Sequence, residues 1–305
     1  MTSGPLQSLP LGLLVTKPPV AADSDDYRNT AWLARRFGIS VLPSLSSLKD
    51  LRATASRPSA PLPFIGFGDP AFSGAAGSKR GSIASAALCR DGAATDLEIL
   101  RSLPRLPETA GELERMAQTL GAGPDSVVLG TAATESKVRS TDLSQYRVIA
   151  FATHGLLPGD LQCKAEPALA LTPPATSGAG DDDGFLSASE IAQLRLDADF
   201  VVLSACNTAA PDGRLLGEAL SGLTRAFFYA GARGLLVSHW SVASAPTVAL
   251  TTGLFAEHAR DRTLGRAEAL RRAQEVLWQQ EATAHPALWA AFVLVGDGGP
   301  EVRQP

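Results

Sequence analysis

Along the chain the spacing of apolar positions switches repeatedly between runs and helical stripes. Short apolar runs at Phe64 to Phe67, Val127 to Leu129, Val148 to Ala152, Phe200 to Ala205 and Gly234 to Ser238 have the length of buried strands. Ile39 to Leu42 and Leu288 to Val295 read as two further strands. Between these runs the spacing becomes helical. Glu108 to Leu120 puts Leu113, Met116, Ala117 and Leu120 on one face and stops at Gly121. Leu215 to Ala230, Ala245 to Ala259 and Leu264 to Gln280 are longer amphipathic stretches, and Tyr27 to Phe37 shows the same spacing up to Gly38. Thr134 to Val138 and Ser187 to Gln193 are short helices. The second has Ser187 as its N-cap, with Glu190 at the capping-box position.

Strands alternating with helices from Phe64 onward predict an α/β fold with a mostly parallel central sheet and helices on both faces. Ser56 to Pro63, rich in Pro, Ser and Ala without period, reads as a linker. It divides an N-terminal part, residues 1–60, from a main domain over 61–298, with 299–305 as a tail. Residues 71–103 form a long Gly-, Ala- and Ser-rich excursion. Thr172 to Asp183, with Pro, Gly and three successive Asp residues, reads as a surface loop open to nicking.

A chain with 45% hydrophobic and 19% charged residues can bury a full core. A formal net charge of −4 supplies no broad basic field for a phosphate backbone, so nucleic acid is not expected as a direct partner. No apolar run is long enough to cross a bilayer and the N-terminus has no secretory pattern, so a cytoplasmic location without membrane contact is expected. The three cysteines, Cys89, Cys163 and Cys206, are odd in number and lack paired short spacings. That argues against a disulfide framework or a zinc site and for reduced thiols.

Two residues stand where chemistry gathers in open α/β sheets, at the carboxyl ends of strands. Val148 to Ala152 runs directly into Thr153, His154 and Gly155, and Phe200 to Ala205 runs into Cys206. Adjacent parallel strands would bring His154 and Cys206 to one edge. Their separation of 52 residues is close to the roughly 50 between the histidine and cysteine of caspases. An imidazole beside a thiol can generate the thiolate and later protonate a leaving amine. The N–H groups of Gly155 and Cys206 could together form an oxyanion hole. The plainer alternatives are a strand-end histidine bonded to backbone and a cysteine acting as a small buried hydrophobe. Ser204, Asn207 and Thr208 favour a turn over core around Cys206. Cys89 and Cys163 lie in irregular segments without a comparable setting.

Phe151-Ala-Thr-His-Gly155, Leu186-Ser-Ala-Ser-Glu-Ile191, Val201-Val-Leu-Ser-Ala-Cys-Asn-Thr208, Gly217-Glu-Ala-Leu220, Ala230-Gly-Ala-Arg-Gly234 and His285-Pro-Ala-Leu-Trp-Ala-Ala-Phe292 resemble the CHAT family. Its members are caspase-like domains that commonly follow tetratricopeptide repeats. The resemblance runs from Phe64 to Gly296 and is weaker before it. It implies a caspase-like fold, His154 as general base or acid, Cys206 as nucleophile and peptide-bond cleavage without metal or other cofactor. It also assigns Ser238 and Trp240, in Val237-Ser-His-Trp-Ser241, to substrate contact, with a core or rim aromatic as the alternative for Trp240. The family often has Leu before that tryptophan and Asp four residues after it; here His239 and Ser244 stand there.

The leading expectation is a cysteine endopeptidase acting on protein or peptide. It would be latent until a regulatory partner or repeat module rearranges its loops. A silent scaffold for protein binding and a small-molecule hydrolase are the other classes; retention of both His154 and Cys206 favours the first. Asp160, Glu166 and Asp212 are the acidic residues that could face a basic substrate side chain. Of these, Asp160 is the expected substrate-binding residue.

Overall fold

A computed structural model describes residues 9–18, 27–42, 45–54, 60–74, 79–80, 96–156, 166–175, 182–205, 222–240 and 242–299. In chain order the strands are β1 (Ser40–Val41), β2 (Leu62–Pro70), β3 (Lys79–Arg80), β4 (Val127–Gly130), β5 (Tyr146–Ala152) and β6 (Gly155–Leu156). They continue as β7 (Ala168–Ala170), β8 (Phe185–Ser187), β9 (Phe200–Leu203), β10 (Gly234–Ser238), β11 (Val242–Ala243) and β12 (Phe292–Gly296). The helices are α1 (Leu45–Thr54), α2 (Asp96–Ser102), α3 (Glu108–Leu120), α4 (Glu135–Ser140), α5 (Ala188–Ile191), α6 (Gly222–Ala230), α7 (Ser244–Arg260) and α8 (Arg266–Trp278).

Seven strands form the central sheet in the order β1-β12-β10-β9-β5-β2-β4. All neighbours from β10 to β4 are parallel, β12 runs antiparallel to β10, and β1 is parallel to β12. The expected mostly parallel sheet between two helical layers is the architecture observed. Its strands are continuous apolar runs because both faces are covered. Alternate side chains divide between the layers. Phe64, Val148, Ala150, Phe200, Val202 and Leu236 pack with residues of α3, α7 and α8. Ile65, Ile149, Phe151, Val201, Leu203 and Leu235 pack with Val138, Ile191, Leu223 and Phe227 on the other side. A smaller antiparallel sheet, β6-β7-β8, sits beyond the carboxyl end of β5.

Helix α3 spans the residues its periodicity marked, and Gly121 closes it with φ 73°. Tyr27 to Phe37 is not a helix. Only Leu33–Arg35 makes a 3₁₀ turn, because Trp32 is drawn into the core against Trp289 and pairs by an isolated bridge with Val15. The Thr16 and Leu33 N–H groups bond to Ala31 and Leu14 carbonyls, so tertiary partners take up the bonds that helical spacing would have supplied locally. Leu45–Thr54, unmarked in the sequence, is helical, and Ser40–Val41 from the N-terminal part adds an edge strand to the central sheet.

Two glycines make the backbone constraints measurable. Gly231, between α6 and β10, has φ 114°, and a Cβ there would stand 2.3 Å from the Leu196 carbonyl oxygen. Gly111, inside α3, would place a Cβ in open space. Gly231→Ala is expected to cost about 3 kcal/mol or more, whereas Gly111→Ala should gain about 0.5–1 kcal/mol through helix propensity. Urea unfolding of both variants checks this pair, and equal midpoints would overturn it.

Candidate active site

Strand β5 is paired on both sides, with β2 and β9, so its carboxyl end is held firmly. The next residues are buried and cross-bonded to β7. The Thr153 hydroxyl donates to the Ala170 carbonyl at 2.5 Å, and the Ala170 N–H donates to the His154 carbonyl at 2.9 Å. His154 is only 2% exposed, and its ring centroid lies 5.6 Å from that of Phe72. Its Nε2 lies 2.8 Å from the Pro104 carbonyl oxygen. A carbonyl can only accept, so Nε2 is the donor in this contact and Nδ1 is the ring nitrogen turned elsewhere.

Pro104 is itself held in place. The chain beside it bridges Gly74, and Arg105 pairs with Asp69 at 2.9 Å. Asp69, one residue before the end of β2, has φ 40°, and its N–H donates to the Thr109 hydroxyl at 2.8 Å. The orienting carbonyl is thus tied to strand β2 and helix α3 rather than to a free loop.

Gly155 opens β6 opposite Leu169. The bond from Ala170 N–H to His154 carbonyl makes Gly155 and Leu169 a non-hydrogen-bonded pair, which turns the Gly155 N–H away from β7. That donor stands directly after the histidine, as an oxyanion contact would need.

Beside β5, strand β9 keeps register up to Phe151 opposite Leu203, and the Ser204 N–H still donates to Phe151. There the chain leaves the ladder, held by side chains. The Ser204 hydroxyl donates to Glu112 at 2.7 Å, and the Thr251 hydroxyl donates to the same carboxylate oxygen at 2.9 Å. The Ser238 hydroxyl donates to the Ala205 carbonyl at 2.5 Å. Glu112, fully buried on α3, therefore joins the end of β9 to α7. Sequence reading passed over it. The available signal was a carboxylate on the apolar stripe, between Thr109 and Met116 at helical spacing.

Cys206 and Asp160, and likewise Cys89, Cys163 and Asp212, lie outside the described residues. Ser238 is fully buried, and its hydroxyl faces Ala205, the residue before Cys206. Trp240 is half-buried against the α7–α8 layer and donates through Nε1 to the Ala287 carbonyl at 3.0 Å. Burial pushes His239 down to about 4, which leaves its ring neutral at neutral pH. Glu166 accepts from the Ser189 N–H and hydroxyl and is thereby engaged at the start of α5. Among the described residues no group of three or more His, Cys, Asp or Glu could hold a metal ion, and no helix is long and apolar enough to cross a membrane.

The loop that begins at Thr172 has its described ends well bonded; residues 176–181 lie outside the description. The Thr172 hydroxyl accepts from Ala71 N–H and donates to the Gly130 carbonyl. At the far end, Asp183 and Gly184 N–H groups donate to Glu135 at 3.1 and 3.2 Å, and Asp182 accepts from Ser136. Glu135 is buried beside Arg139, with Glu190 and Asp182 nearby.

The family model of the CHAT domain matches residues 1–297. Tetratricopeptide repeat protein 28 of Mus musculus is 29% identical over 224 residues, covering 63% of this chain. The protein of the same name in Homo sapiens is 28% identical over 224 residues. The chain spans only 8% of the length of either relative. Among solved structures, the Arg specific cysteine proteinase gingipain R is 10% identical with a TM-score of 0.46, over 84% of this chain and 52% of that one. A chain of the Saccharomyces cerevisiae separase-securin complex is 16% identical with a TM-score of 0.45, over 86% of this chain and 14% of that one.

Burial, and then the charge of Glu190, raise Glu135 from 4.5 to about 7, against the lowering effect of Arg139. The folded chain thus binds this proton more tightly than the unfolded chain. The stabilisation is full below the unfolded value and is lost as pH rises through about 7. Glu135→Gln keeps an oxygen for the Asp183 and Gly184 donors but cannot ionise. Between acidic and mildly alkaline pH, wild type should lose urea stability relative to this variant; parallel curves would refute the assignment.

Proposed function

The chain belongs to the CHAT domain family, and from that premise we propose that it is a caspase-like cysteine endopeptidase with His154 and Cys206 as its dyad. The observation that carries this reading is the placement of His154: buried at the carboxyl end of β5, with Nε2 bound to Pro104 and Nδ1 left as the other ring nitrogen. A buried imidazole needs a partner for its N–H in any role, and this one also fixes the direction of the ring and leaves Nδ1 as the nitrogen available as a base. A general base needs a nitrogen held in this way. Cys206 is bonded directly to Ala205, and the strand leading there is the parallel neighbour of the one leading to His154.

In the proposed reaction His154 Nδ1 takes the proton of Cys206, and the thiolate attacks the peptide carbonyl carbon. The N–H groups of Gly155 and Cys206 receive the oxyanion. Protonated His154 then gives its proton to the leaving amine, and water hydrolyses the thioester. Ser238 acts beneath this site by holding the Ala205 carbonyl, while Trp240 and Asp160 are assigned to substrate contact.

Control is assigned to a regulatory protein or repeat module. The curated relatives are tetratricopeptide repeat proteins by name, and this chain is a small part of their length. Such a module would act by binding better to the productive arrangement of the loops than to the resting one.

The test is a peptide-library digest of wild type, Cys206→Ala and His154→Ala, with and without a repeat-bearing partner, alongside iodoacetamide mapping. Cys206 should alkylate faster than Cys89 and Cys163, and His154→Ala should slow it. Cleavage should vanish in Cys206→Ala and fall about 10²- to 10⁴-fold in His154→Ala. An uncut library together with a Cys206 no more reactive than the other thiols would leave the scaffold reading in its place.

A further inference from the structure

Glu135 opens α4 and is fully buried. One carboxyl oxygen accepts from the Asp183 and Gly184 N–H groups at 3.1 and 3.2 Å, and the other takes the Arg139 guanidinium at 3.1 Å. Asp182 accepts from the N–H and hydroxyl of Ser136 on the same helix. The start of α4 therefore holds the three residues that lead into β8. A second carboxyl group meets the first. Glu190 on α5 is in hydrogen-bond contact with Glu135, and its Oε1 lies 3.7 Å from the same Arg139 nitrogen. Its other oxygen accepts from the Ser187 N–H and hydroxyl in the capping box, which fixes it in place. Carboxylate oxygens only accept, so two of them in such contact need a proton between them.

The charged groups that face Glu135 among the described residues are Arg139 from its own helix, Glu190 from α5, and Asp182 and Asp183 from the segment before β8. The Asp183 carboxylate is turned to the Phe185 N–H at 2.9 Å. One cation, with its side chain 41% exposed, thus stands against Glu190 and Asp182 before Glu135 adds any charge. Ionisation of Glu135 would strengthen its bonds to Asp183 and Gly184. It would also set a carboxylate without water against two others. Burial and the Glu190 charge outweigh the donors, since they raise this group to about 7. The repulsion is relieved when water reaches Glu135, and the 182–184 segment is the part that can yield. It carries one of the repelling charges, whereas Glu190 is held by its capping box.

We propose that Glu135 and Glu190 share one proton, and that this proton latches the Asp182–Gly184 segment to α4, closed in acid and loosened as the pH rises toward neutral. The latch lies one strand behind the histidine. The Gly184 carbonyl accepts from the Leu171 N–H at 2.8 Å, and the neighbouring Ala170 N–H donates to the His154 carbonyl. The device depends on these contacts alone and holds whether or not the dyad cleaves peptides.

Hydrogen exchange of single amides, followed by NMR from about pH 4.5 to 8 and corrected for the base-catalysed intrinsic rate, tests the proposal. The Asp183 and Gly184 amides should be less protected than those of β9 at every pH, because they open locally. Their protection should fall at least about tenfold from acid to neutral pH and then level off, since the closed segment binds the proton more tightly than the open one. Glu135→Gln keeps an acceptor oxygen and a donor toward Glu190 but cannot ionise, so its protection should stay flat. Glu190→Gln retains the capping box and should show a smaller fall than wild type, which decides the matter if Glu135→Gln does not fold. Wild-type protection that is independent of pH, a fall in either variant equal to that of wild type, or exchange of these two amides only together with β9 would each overturn the assignment.

Discussion

The pairing of β5 with β9 is the constraint from which the rest of this molecule follows. Four residue pairs, from Val148 opposite Phe200 to Phe151 opposite Leu203, run parallel in the middle of a sheet covered on both faces. Each strand also has a second parallel neighbour, so a one-residue slip would send every side chain of Tyr146–Ala152 into the wrong helical layer. Register is therefore strongly specified. Because the pair is parallel, the two chains leave the sheet at the same edge, and whatever follows them must be finished by loops at that edge.

After β5 the small β6-β7-β8 sheet supplies some of the bonds at that edge, and polar side chains supply others. Ser204 and Thr251 converge on the buried Glu112, Ser238 holds Ala205, and Thr153 holds Ala170. A buried carboxylate without donors would be costly, and hydroxyls without acceptors would be too. Their mutual satisfaction makes the network tolerable and ties α3, α7 and β10 to the segment before Cys206. The same economy explains His154: a ring taken almost wholly out of water finds its partner in the Pro104 carbonyl, whose segment is anchored through Asp69 and Thr109.

The opposite edge of the sheet shows the complementary case. There the strands begin, α3 and α7 end and α8 starts, and the cleft between them has arginines in its lining. Both edges result from one topology: hydrogen bonds between distant residues hold one together, and at the other a cleft has Arg147, Arg262 and Arg266 in its lining.

Apolar runs with two-sided burial, the helical stripe of α3 with its Gly121 stop, and the Ser187–Glu190 capping box were legible in the sequence because each is decided by residues within a few positions of one another. The placement of His154 at a strand end was legible for the same reason. Tyr27 to Phe37 misled because its apolar spacing answers to Trp289 and to the segment around Val15, not to a helix of its own. Pro104 as the partner of His154, Glu112 as the anchor of Ser204, the burial of Ser238 and the gathering of Arg147, Arg262 and Arg266 were decided only by the tertiary structure. Each joins residues tens of positions apart, and a hydrogen bond or a shared cavity between distant residues leaves no period along the chain from which it could be read.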